Sequence, residues 1–187
     1  LRSIDSIQLL IRHFKLEGYD INTLLDDACR YQHPETLHII IAETMQKSLE
    51  QEPQFAVTVN LAPQLEAGGI FVPQKIEVEF GLTRNEVDEP VSLVRLLTLE
   101  PQMRSEELIP VSIEIPSLDN ISSYEPALFT RIQIYQDYWL RDYEAEITLP
   151  NRCHDLRTLA AGQKYQASYE QGKYPRWSIK PGTDPFF

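Results

Sequence analysis

PALFTRIQIYQDYWLRDY, residues 126–143, is the stretch on which the fold class turns. Leu128, Ile132, Tyr135, Trp139 and Tyr143 are spaced by four, three, four and four, which puts them on one face of a helix. Pro126 suits a helical first turn, where its missing N–H removes no bond. The competing pattern is a strand over 128–135, because Thr130 to Ile134 also alternate between polar and apolar. The longer periodicity favours the helix, and a helix over 126–143 is the expectation adopted.

Around it, alternation predicts strands. Ile76, Val78 and Phe80 alternate with charged residues, and Ile109, Val111, Ile113 and Ile115 keep the same period of two up to Pro116. Phe55, Val57 and Val59 show the same period. Residues 91–100 fit a strand or a helix opened by Asp88 and Pro90. Shorter strands are expected at 146–149, 164–169 and 176–179, with polar connections at 85–90 and 117–123. The last residues, 181–187, read as irregular.

The first quarter reads differently. Ile4, Ile7, Leu10, Ile11 and Phe14 predict a helix over 3–17, closed by Gly18. Asp20 caps a second over 21–32, with Ile21, Leu24, Leu25 and Ala28 inward. Pro34 opens a third, continued by Leu37, Ile40, Ile41, Thr44 and Met45 to about residue 50. The sequence therefore predicts an α+β protein. A three-helix module over 1–52 precedes a mainly antiparallel sheet or sandwich over 53–187, with the one further helix near 126–143.

Charge narrows the function. The 187 residues carry a net charge of −11, with 42% hydrophobic and 24% charged side chains, so an ordinary globular protein is indicated. Residues 1–50 hold 5 basic and 8 acidic side chains, 51–120 hold 4 and 12, and 121–187 hold 8 and 8. Such a field repels phosphate backbones and anionic lipid surfaces, so neither nucleic acid nor membrane is an expected partner. No apolar run approaches the ~20 residues that span a bilayer. The chain opens on Leu1 rather than Met, as in an excised domain or part of a longer protein. Two cysteines make no disulfide framework, and a cytoplasmic location is expected.

Catalytic patterns are weak. Cys29, His33 and His38 could meet Cys153 and His154 in a zinc site, but no Cys-x2-Cys knuckle supports it. Cys153 beside His154 and Asp155 could form a thiol nucleophile, and Arg152 and Arg157 would lower its pKa. Glu77 and Glu79 share a strand face, which reads as solvated because Ile76, Val78 and Phe80 define the buried one. Phosphate loops and nucleophile elbows are absent. No metal and no cofactor is expected.

The remaining signal is aromatic. Tyr135, Tyr138, Trp139 and Tyr143 cluster in one segment and Tyr174 and Trp177 in another, with Arg131, Arg141 and Arg176 among them. Tyr, Trp and Arg are enriched where partners meet, so these nine residues are the expected interaction surface. The sequence thus indicates a non-catalytic interaction or scaffold domain that binds another protein or a neighbouring domain. An enzyme with a dispersed site including Cys153 and His154 is the alternative. A carbohydrate module using Trp139 or Trp177 is a lesser one.

Overall fold

The computed structural model describes residues 2–84, 90–156 and 159–182. Its elements run α1 (Arg2–His13), β1 (Leu37–Ile41), α2 (Gln54–Leu61), β2 (Leu65–Val72), β3 (Lys75–Thr83), β4 (Val91–Leu99), β5 (Val111–Glu114), β6 (Glu125–Tyr135), β7 (Tyr138–Leu140), β8 (Asn151–Arg152), β9 (Lys164–Glu170) and β10 (Arg176–Pro181). Single 3-10 turns lie between several of them.

Three sheets result. Strands β4, β3, β6 and β7 lie side by side, and β8 also pairs with β6, all antiparallel. Strands β10, β9 and β5 form a second antiparallel sheet. Strands β1 and β2 make a separate parallel ribbon. One apolar core joins the two antiparallel sheets: Ile76, Val78, Phe80 and Leu82 of β3 meet Leu128 and Ile132 of β6, and beyond them Ile113, Tyr165 and Ala167.

The three-helix N-terminal segment is overturned. Only α1 forms where the first helix was expected. Residues 20–27 lack regular structure, and the expected third helix is β1 followed by a 3-10 turn at Lys47–Leu49. Ile39, Ile40 and Ile41 explain the difference, since three consecutive β-branched side chains crowd a helix and suit a pleated strand. The further helix near 126–143 is also overturned. That stretch is β6, a turn at Gln136 (φ 49°) and β7, with Gln133 opposite Trp139. Here the local alternation decides, because Leu128, Thr130 and Ile132 all enter the core from one face of a strand.

The opposite error occurs at α2, expected as a strand. Phe55 and Val59, four apart, face the main core, while Val57 and Leu61, also four apart, face the ribbon core with Ile40 and Phe71. A helix buried on two sides therefore mimics strand alternation. The expected strand at 146–149 is a 3-10 turn, Glu146–Thr148. The strands at β3, β5, β9 and β10 lie where the sequence places them, and 91–99 is a strand. Residues 85–89 of the polar connection and 183–187 of the tail lie outside the described residues.

Strand β3 is buried on both faces. On its second face a Cβ added to Gly81 would lie 2.7 Å from the Val91 carbonyl oxygen and 3.0 Å from the Phe129 ring. The backbone cannot yield between two paired strands, so Gly81→Ala is expected to cost about 2 kcal/mol by overpacking. Denaturant unfolding measures this, and an unchanged midpoint would show that the strands separate more easily than their pairing implies.

Candidate functional site

Residues 46–51 form a turn with an unusual backbone. Ser48, Leu49 and Gln51 all have positive φ, at 60°, 61° and 65°. Side chains with a Cβ disfavour that region, by about 1–3 kcal/mol each where the surroundings enforce it. Here the enforcing groups come from distant parts of the chain. The Ser48 N–H donates to Thr130 Oγ1 at 2.9 Å. Trp177 Nε1 donates to the Ser48 carbonyl at 2.8 Å, and the Tyr169 hydroxyl donates to that of Leu49 at 2.6 Å. The Glu50 carboxylate accepts from the Trp177 N–H and from Asn151 Nδ2, at 2.9 and 2.7 Å. Gln51 N–H donates to the Pro175 carbonyl. The turn is thereby fastened to both antiparallel sheets.

Beside this turn lies a cavity of about 500 Å³, lined by Met45, Lys47, Glu50, Gln51, Glu146 and Asn151 among others. Its lining holds one cation and two carboxylates, with no cysteine or histidine among the described residues. Cys153 lies near Glu50 but is half-buried. Burial, with the charges of Glu50 and Asp155, pushes its thiol up to about 12. It is therefore protonated at neutral pH, and His154 beside it is exposed. Cys29 is also a free thiol, and it packs in the separate ribbon core. His33 meets Tyr31, and His38 lies 3.5 Å from Glu66. Among the described residues no three His, Cys, Asp or Glu side chains gather as metal ligands.

Glu77 and Glu79 do not form a solvated face. Both are buried, and Arg95 lies 2.8 Å from each. Arg131 lies 3.3 Å from Glu79 and 2.8 Å from Asp142, and Ser92 donates to Glu79. Burial acts to raise the Glu79 carboxyl. Hydrogen bonds from Arg95 and Ser92 and the nearby guanidinium charges outweigh it, so Glu79 is held below the usual carboxylate range. Neighbouring strands supply the partners: Glu79 stands opposite Arg95 of β4, and Glu77 opposite Arg131 of β6. A period-two reading of one strand cannot show a second layer of partners.

The nine aromatic and arginine residues separate into two places. Arg131 belongs to the ion network. Tyr135, Tyr138 and Trp139 lie on the β6–β7 hairpin, and Arg141 and Tyr143 follow it. The Tyr143 hydroxyl lies 3.4 Å from Thr83 Oγ1. Tyr174, Arg176 and Trp177 lie on or beside β10, in the other sheet; Arg176 pairs with Glu170, and Trp177 packs on Tyr169 at 5.1 Å. Tyr138 and Tyr174 are the two large aromatics of this set that stand exposed.

The largest concentration of exposed apolar side chains lies elsewhere. Among the described residues thirteen large hydrophobics are exposed, and ten of them fall between Ile7 and Ile41. On α1 these include Ile7 and Leu10, and Phe14 follows just past its end; all three belong to the face that sequence periodicity identifies, on which Ile4 and Ile11 are half-buried. On β1 they are Ile39 and Ile41, 58% and 75% exposed. Their exposure has no sequence signal, because periodicity shows which residues share a face and not whether that face is covered. No family profile matches the chain, and no curated protein matches it in sequence. No described helix is long and apolar enough to cross a membrane.

Two outcomes test this geometry. The raised Cys153 pKa, against an ordinary 9.0, leaves on the order of a thousandfold less thiolate at pH 8. A thiolate of higher pKa is also the stronger nucleophile, so alkylation of Cys153 should be slower in the folded protein than in the denatured chain by about tenfold or more, as peptide mapping measures. Ser48 has positive φ, and its buried Oγ has no hydrogen-bond partner among the described residues. Ser48→Gly keeps the backbone bonds and should raise stability by about 1 kcal/mol despite the added chain entropy. A lower melting temperature would mean that the hydroxyl is used.

Proposed function

We propose that this chain is a non-catalytic interaction domain of a larger chain or assembly, and that its contact surface is the N-terminal segment. The observation that carries this reading is the apolar surface of α1 and β1. Large apolar side chains left exposed in such number are costly in water and mark contact sites in soluble proteins. Each Ile, Leu or Phe that a partner covers contributes about 1.5–3 kcal/mol of gross stabilisation. The partner is another protein or a neighbouring domain. A net charge of −11 argues against phosphate-rich partners. The protonated Cys153 thiol argues against a nucleophilic role for that residue. Trp177 serves the strained turn through its indole N–H and its ring, which argues against a sugar-stacking role.

Substitution separates this surface from the aromatic one. Leu10 and Ile41 are exposed, so Leu10→Glu and Ile41→Glu should change stability by no more than about 0.5 kcal/mol. Each should abolish co-purification of the natural partner with the full-length protein, while Tyr138→Ala and Tyr174→Ala retain it. The converse result would move the contact to the β6–β7 and β9–β10 hairpins and defeat the proposal.

A further inference from the structure

We infer that the surface just proposed is occupied by a second copy of this chain, with α1 of each protomer lying on the β1–β2 ribbon of the other. The inference rests on the interaction reading above and names its partner. Its starting point is an incomplete layer. Parallel strands are ordinarily covered on both faces. Here β1, α2 and β2 form a parallel crossover unit, and α2 covers one face through Val57 and Leu61 against Ile40 and Phe71. Ile39 and Ile41 alternate with Ile40 and so occupy the other face, which is open. The ribbon lacks a helix, and α1 is a helix whose apolar side lacks a sheet.

Dimensions and charge agree. Twelve residues of α1 span about 18 Å and five of β1 about 17 Å. Residues 1–16 carry Arg2, Arg12 and Lys15 against Asp5 alone. Strands β1 and β2 and the residues flanking β1, which build the ribbon, carry Glu35, Glu43 and Glu66 and no Lys or Arg. A basic helix thus meets an acidic ribbon.

The route of the chain favours exchange over self-closure. Asn60 Nδ2 donates to the carbonyls of Ala28 and Tyr31, at 3.0 and 2.9 Å. Gln64 Nε2 donates to the Tyr31 carbonyl and its Oε1 accepts from the His33 N–H. Both side chains belong to α2 and the turn that follows it, and Ala28 and Cys29 pack in the same core. Residues 28–33 are therefore held on the covered side of the ribbon, away from Ile39 and Ile41. Two copies related by a twofold axis satisfy both open faces reciprocally, as in a swapped dimer.

Sedimentation of the full chain at micromolar concentration tests this, with a species of about twice the 21.7 kDa chain mass expected. Leu10→Glu alone and Ile41→Glu alone each place a charge in both symmetric contacts, so each should be monomeric. Mixing the two variants creates one contact made of an unaltered α1 and an unaltered ribbon, and dimer should reappear. A monomeric wild type, a dimer that ignores both variants, or a mixture that stays monomeric would each overturn the inference. Hydrogen exchange then tells which reading fails with a monomer. Fast exchange in α1 leaves the surface open to a different protein and removes only self-association. Slow exchange in both α1 and residues 39–41 means the chain covers itself, and the interaction reading falls too.

Discussion

Everything else in this fold is arranged around a strand that water reaches from neither side. From Ile76 to Thr83, β3 is buried throughout. One face is apolar and joins the core shared by the two antiparallel sheets. The other carries carboxylates, and burying a carboxylate is expensive unless opposite charge and hydrogen bonds accompany it. Arg95 on one neighbouring strand and Arg131 on the other supply them, with Asp142 completing the network. Register is fixed as a consequence, because a one-residue slip of β3 would drive Glu77 and Glu79 into the apolar core. Folding also lowers the pKa of Glu79. Its contribution is complete above its unfolded value and is lost as pH falls through the lower folded one.

The second constraint is α2, which belongs to two cores at once. Phe55 and Val59 anchor it to the sheets, Val57 and Leu61 to the ribbon. At its first residue, Gln54 Oε1 accepts from the Thr44 N–H and hydroxyl at 3.0 and 2.8 Å, drawing residues 44–54 together. The left-handed turn at 48–51 sits inside this span. Its strain is tolerated because Trp177, Tyr169, Thr130 and Asn151 over-determine it from outside. The aromatic pair of β9 and β10 therefore acts as a clamp on the middle of the chain.

This explains what was legible in the sequence. Strands with one wet and one dry neighbour, such as β5 and β9, announce themselves by alternation. The strand β3 is also found, but the burial of its charged face is not, since Glu77 and Glu79 look solvated until Arg95 and Arg131 are brought beside them. Residues 126–143 hold two periods at once, and only cross-strand pairing chooses between them. The α2 helix misleads for the inverse reason, its four-residue spacings being interleaved. For the proposed contact surface, the apolar periodicity from Ile4 to Phe14 was readable. The lack of cover was not, because exposure is a property of the whole fold.

Charge distribution has the same character. The middle of the chain carries the greatest acidic excess, yet Glu77 and Glu79 are neutralised inside the structure and add little to the outer field. The exposed carboxylates that remain add repulsion wherever two such bodies meet outside a matched contact. Repulsion of that kind opposes indiscriminate sticking of the apolar N-terminal segment, which a neutral protein with the same surface would risk. Charge reverses locally around Arg12 and Lys15, at the C-terminal end of α1. On the proposed reading, an acidic body with a basic apolar arm meets its partner through the arm while repulsion opposes contact elsewhere, so net charge lends that surface its selectivity.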